Sequence, residues 1–68
     1  MANNYAFVNR IREIRKAQHM TLAEVSGRIG VSIAYLSDIE RGNRPGSYGS
    51  LQRIADALGV TVADLEVA

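Results

Sequence analysis

Ile33, Ala34, Ser37, Asp38 and Arg41 fall on one side of a segment whose apolar residues, Leu36 and Ile39, fall on the other at about 100° per residue. No hydrophobic core needs that first set. The types offer contact chemistry: two apolar side chains, a hydroxyl that donates and accepts, a carboxylate that accepts, and a guanidinium that holds anions. Against the edges of base pairs, Ile33 and Ala34 would meet thymine methyl groups, Ser37 would bond either kind of base, and Asp38 would accept from a cytosine amine. The first turn lacks Arg, Lys, Gln and Asn, so the bidentate contacts to guanine or adenine that dominate direct readout are missing. Set against a duplex, a surface of this kind would read base edges modestly and leave binding energy to its flanks and to the shape of the duplex.

Bond-making chemistry finds no support. The chain has no cysteine and one histidine, His19, so neither a thiolate site nor a histidine cluster for zinc can form. His19 is expected to end a helix. The acids show no spacing for a paired general acid and base, and no Ser-His arrangement is present. Gly27-Arg28-Ile29-Gly30 lacks the Lys-Ser/Thr that completes a phosphate loop. No enzymatic activity, metal, cofactor or small-molecule ligand is expected.

The elements that must position the exposed set are helices. Phe7, Ile11, Ile14 and Gln18 recur at helical spacing and predict a first helix from about Asn4 to His19. Thr21 and Glu24 form a capping box that opens a second helix with Val25 and Ile29 as core positions, closed by Gly30. Gly27 inside it implies either a close neighbour or a weak helix. Ser32 caps a third helix ending at Arg41 and Gly42, with Val31 anchoring the turn. Thr21 to Gly42 is thus two short helices about a glycine-containing turn, the layout of a helix-turn-helix. Asn43-Arg44-Pro45-Gly46 has turn chemistry. Ser47 opens a fourth helix carrying Leu51, Ile54, Ala55 and Leu58, which Gly59 closes; Thr61 caps a last short helix holding Leu65. The expectation is a compact all-α, five-helix single domain over residues 1–68.

Sixty-eight residues bury only about 60% of the surface the unfolded chain exposes, so stability is expected to be marginal. With 47% hydrophobic residues and a single proline, the chain is of the ordered class. No apolar run approaches the ~18 residues that span a bilayer, and the opening MANNYAFVNR lacks the plan of a signal peptide, so a cytoplasmic location is expected. The formal net charge of +1 hides an asymmetry. All eight Lys and Arg lie in residues 1–53 with only Glu13, Glu24, Asp38 and Glu40, whereas residues 54–68 carry Asp56, Asp64 and Glu66 and no base. A basic body with an acidic end suits a module that turns one face to phosphate and another to a partner.

From Ile11 to Leu65 the chain resembles the lambda-repressor-like helix-turn-helix domains of phage repressors, Cro proteins, restriction-modification controller proteins and small bacterial regulators. The resemblance rests on Ile11 and Arg15, the T-x-x-E-V-S start of the second helix, the Ile-Gly-Val-Ser turn, Y-L-S-D-I-E-R-G, and I-A-D-A-L-G-V-T. Y-L-S-x-I-E-R is closer to controller proteins than to the Gln-rich helices of some phage repressors. It implies base or adjoining backbone contacts at Ser32, Ile33, Ala34, Tyr35, Ser37 and Asp38. It implies phosphate contacts at Thr21, Arg41, Asn43, Arg44 and Ser47, and an ion pair between Arg15 and Glu40. One departure stands out: Leu22 occupies the position where the family usually has a phosphate-binding glutamine, which sets an apolar side chain near the expected DNA backbone. Plainer readings coexist: Tyr35 as a ring packed on the second helix, Arg15 and Glu40 as solvated charges, and Arg10, Arg12, Lys16, Arg28 and Arg53 as a solvated face.

A domain of this size touches one half-site, which implies a homodimer on double-stranded DNA with recognition helices about 34 Å apart. Val60, Val62, Leu65 and Val67 crowd the C-terminal segment and form the candidate dimer patch. Two functional classes follow. One is a sequence-specific transcriptional regulator, a repressor or controller on an inverted-repeat operator; the alternative is a protein-interaction module, such as an antitoxin or adaptor, on the same fold.

Overall fold

The computed structural model describes residues 10–65. Four α-helices follow in order, α1 (Arg10–Ala17), α2 (Leu22–Ile29), α3 (Ile33–Arg41) and α4 (Tyr48–Leu58), and a 3₁₀ turn (Val62–Leu65) closes the described chain. The expected fifth helix is therefore this single 3₁₀ turn. Its four residues are too few for α-helical propagation, which needs a longer run to offset nucleation. The expected start of the first helix at Asn4, and Phe7, lie outside the described residues; its end comes at Ala17, two residues before the expected His19.

α2, α3 and α4 each begin where the sequence supplies a cap. Thr21 Oγ1 accepts from Glu24 N at 3.1 Å while Thr21 N donates to the Glu24 carboxylate at 2.8 Å, a complete capping box. Ser32 Oγ accepts from Tyr35 N, and Ser47 Oγ from Ser50 N. Thr61 and Asp64 build a second reciprocal box at the 3₁₀ turn. The helix ends share a six-to-one backbone bond, as in Met20 N to Arg15 O, Val31 N to Ser26 O, Asn43 N to Asp38 O and Val60 N to Ala55 O. Three of these ends turn on glycine, but the first turns on His19 with φ 58°, a left-handed conformation that an L side chain adopts only at a cost.

The core lies where the four helices meet. Ile11, Val25, Leu36, Ile39, Ile54 and Leu65 are fully buried, with Ile29, Leu51, Ala55 and Leu58 around them. Each such aliphatic side chain contributes on the order of 1.5–3 kcal/mol by leaving water. α2 packs on both α3 and α4, and α1 lies across α3, α4 and the 3₁₀ turn. Leu65 is thereby a core residue of the single chain and drops out of the expected dimer patch, because the turn folds it in against α1 and α4. Val60 and Val62 remain half-buried beside the core, and Val67 lies outside the described residues.

Three long side chains tie helix ends to neighbouring elements. Gln18 Nε2 donates to Leu58 O at 2.7 Å, Arg53 Nη1 to Ile29 O at 3.4 Å, and Arg15 Nη1 to Met20 O at 2.7 Å. The carbonyls of Leu58 and Ile29 lie at helix ends and have no partner within the helix, and these contacts supply one. Gln18 thus acts through its amide and not as an extension of the apolar stripe.

Candidate nucleic-acid interface

α3 owes its orientation to what its inner side buries. Leu36 and Ile39 are fully buried, and Glu40 beside them is 8% exposed. A carboxylate there needs a partner, and Arg15 of α1 provides a two-pronged one: Nε to Oε2 at 2.8 Å and Nη2 to Oε1 at 3.0 Å. The third arm of the guanidinium is the bond to Met20 O, so the pair leaves no buried side-chain nitrogen or oxygen unsatisfied among the described residues. Hydrogen bonding to Glu40 raises the Arg15 pKa above its already high ordinary value, so the guanidinium keeps its charge. It bolts α3 to α1.

With the inner side fixed, the outer side presents the expected set. Ile33 is 50% exposed, Ala34 and Arg41 are exposed, and Ser37 and Asp38 are half-exposed. Ser32 also lies at the surface, with its hydroxyl oxygen engaged in capping. Tyr35 is half-buried: its ring packs against the core and its hydroxyl shares a 3.2 Å hydrogen bond with Ser50 Oγ on α4. Ser50 Oγ also accepts from Ser47 Oγ at 3.0 Å. This small chain of hydroxyls fastens the first turn of α3 to the start of α4.

The loop between them carries the cations. Arg44 lies with Cζ 5.3 Å from the Tyr35 ring centroid and Nε 3.7 Å from Asp38 Oδ2. Asn43, Arg44 and Ser47 are all exposed. Gly46 sets the course of this loop at φ 72°, and a Cβ on it would sit 3.1 Å from Ile39 Cδ1. Thr21, at the start of α2, is exposed too, with its side-chain oxygen accepting from Glu24 N. The structure therefore brings Tyr35, Asp38, Arg44 and Ser47 into one connected group, with Thr21 at a separate helix start.

Two contributors escape sequence reading. Ser50 has no mark beyond lying three residues after a cap, and its bond to Tyr35 spans two elements. Tyr48, the first residue of α4, is 72% exposed, a large amphipathic ring beside Ser47.

The sequence profile of the helix-turn-helix family matches residues 11–65, the greater part of the chain. The chain belongs to this family. Among helix-turn-helix proteins it is similar to the HTH-type transcriptional regulator DdrOP3 of Deinococcus deserti, 41% identical over 56 residues that make up 82% of this chain and 43% of that protein. It is also similar to control protein C.BamHI of Bacillus amyloliquefaciens, 35% identical over 96% of this chain and 84% of the relative. Among solved structures, the restriction-modification controller protein C.AhdI from Aeromonas hydrophila superposes with a TM-score of 0.85 at 28% identity, covering 96% of this chain and 98% of the other. The chain spans less than half the length of several curated relatives it matches.

Within the helix-turn-helix frame, α2 and α3 take the places of the motif's two consecutive helices. Leu22 finds a different use from the one its position suggested. It is half-buried and packs against the core, so part of its apolar surface is covered within the domain.

Proposed function

We propose that this chain is the DNA-binding unit of a transcriptional regulator, which lays α3 in the major groove of double-stranded DNA. The observation that carries the reading is the division of α3: Leu36, Ile39 and Glu40 are locked inward, while Ile33, Ala34, Ser37, Asp38 and Arg41 are left outward on a helix of the matched family. Ile33 and Ala34 meet thymine methyls, Ser37 and Asp38 bond base edges, and Ser32 and Tyr35 touch bases or the adjoining backbone. Thr21, Arg41, Asn43, Arg44 and Ser47 hold phosphates and set the register. The protein works as a homodimer on an inverted repeat in the cytoplasm, with Val60 and Val62 contributing to the subunit contact, and it represses by occupying a promoter. The controller proteins and the phage phi105 immunity repressor among its relatives support this role.

The test is a selection of binding sites from random duplexes. Ile33→Ala with Ala34→Gly is expected to relax preference for thymine at particular positions while overall affinity falls little; unchanged preference overturns the assignment of these two residues. Sedimentation of the free protein and of its DNA complex checks the dimer, and a monomer in both contradicts it. A second reading, a module that grips a protein partner, draws on the exposed Ile33 and Tyr48. Such a module binds no DNA in a salt-sensitive way.

A further inference from the structure

The Asp38–Arg44 contact brings together two residues that the functional reading sends to different parts of DNA, one to a base and one to a phosphate. Arg44 projects from an irregular loop with its side chain 55% exposed, yet it is held at two points, by the Asp38 carboxylate at 3.7 Å and by the face of Tyr35 at 5.3 Å. Tyr35 is itself fixed by the core and by Ser50, so the platform under Arg44 is rigid. Asp38 lies on the outer side of α3 with its side chain 38% exposed. The other acid of that helix, Glu40, is buried and consumed by Arg15. Asp38 is therefore the carboxylate that a phosphate approaching Arg44 must face.

Electrostatics makes this arrangement conditional. A phosphate drawn to the guanidinium comes within a few ångströms of an anion of its own sign, and the attraction and repulsion largely cancel. The repulsion is offset only when Asp38 finds a hydrogen-bond donor, and the donors that base pairs present in the major groove are the amines of cytosine and adenine. Resting on the DNA-binding reading, we propose that Asp38 and Arg44 form an exchange pair: Asp38 holds Arg44 in the free protein and releases it to phosphate only where a base amine takes its place. Asp38 is then a specificity-determining residue that makes a backbone contact depend on a base. Tyr35 is the positioning residue, since its ring keeps the guanidinium within reach of both partners.

A double-mutant cycle tests the pair. The wild type, Asp38→Asn, Arg44→Ala and the double variant are titrated against two probes, a duplex selected by the wild type from a random library and a random-sequence duplex of equal length. All four are first shown to melt cooperatively, as is expected for substitutions at exposed positions. Asp38→Asn should tighten binding to the random duplex about threefold at low salt and steepen its salt dependence by about one counterion. The selected duplex should gain less, so the ratio between the two falls. In the Arg44→Ala background the same substitution should have less than half of that effect on a logarithmic scale. Equal effects in both backgrounds mean that Asp38 merely repels phosphate, and an unchanged ratio means that it does not discriminate; either result overturns the exchange pair while the DNA-binding reading stands. A wild type that binds neither duplex overturns both.

Discussion

At the scale of single residues, the Arg15–Glu40 pair matters most for keeping α3 in place. Two charges nearly buried in a small core are tolerable together and costly apart. Arg15→Ala leaves the Glu40 carboxylate buried without its cation and is expected to destabilise the domain by about 3–5 kcal/mol, enough to unfold much of it given the total stability of a chain this short, on the order of 3–10 kcal/mol. Replacing both, Arg15→Met with Glu40→Leu, should recover most of that loss, because well-packed apolar groups need no partner. Urea denaturation followed by circular dichroism reads both. A double variant as unstable as Arg15→Ala alone would show that the hydrogen bond to Met20 O, and not the ion pair, is what the fold requires. Neither residue betrays its partner across 25 positions of sequence by periodicity or charge; only the family resemblance couples them. The Arg44, Asp38 and Tyr35 group was legible in part, since helical geometry places Asp38 on the outer side. The path of a loop side chain is decided by backbone turns that no period describes, and so the joining of Arg44 to both neighbours emerges only in three dimensions.

At the scale of elements, caps and stripes were legible because their physics is local. Thr21 with Glu24, Ser32 and Ser47 open the helices where expected, and Val25, Leu36, Ile39, Ile54 and Leu58 fill the core from the spacings that named them. Tertiary packing decides the rest: Leu22 packs partly against the core, Leu65 is buried in it, and the last helix is one 3₁₀ turn. Two glycines separate local from tertiary demands. Gly27 of α2 is exposed and would place a Cβ in open space, so Gly27→Ala should stabilise by about 0.5–1 kcal/mol through helix propensity alone. Gly46 combines a left-handed φ of 72° with Ile39 in its way, so Gly46→Ala should destabilise by about 1–2 kcal/mol and loosen the loop that carries Arg44. Thermal melts of the two variants are expected to shift in opposite directions; a shift of the same sign for both would refute this division.

The α2 cap also has a pH signature. Hydrogen bonds from the Thr21 backbone and side chain hold the Glu24 carboxyl below its ordinary pKa of 4.5, and Thr61 does the same for Asp64. A carboxyl whose pKa is lower folded than unfolded contributes its stability above the unfolded value and loses it as pH falls through the folded one. The helix start should therefore weaken progressively as pH drops below about 4.5. Glu24→Gln should flatten that limb of the stability curve, which a series of melts between pH 7 and pH 2.5 would record; a limb as steep as in the wild type would place the acid sensitivity elsewhere.

At the scale of the whole molecule, a helix-turn-helix frame this small divides its surface sharply. Arg41, Arg44 and Ser47 lie on α3 and the loop after it, beside a helix face with little capacity for strong base readout, and in the sequence after α4 the charged residues are acids. On the proposed DNA-binding reading, phosphate contacts supply most of the affinity, base contacts adjust it, and a second copy would double both. Helix content and motif were legible from pattern and resemblance; how the charges are shared between fold and ligand was not, because Arg15 and Arg44 look alike in sequence and differ wholly in burial. The most direct measurement is the salt dependence of binding to random genomic duplexes by the wild type and by Arg44→Ala. The wild-type affinity is expected to fall about a hundredfold between 50 and 200 mM salt, as about four phosphate contacts require, with a slope shallower in the variant by about one contact per subunit. Absence of binding at low salt, or binding indifferent to salt in both proteins, would contradict it.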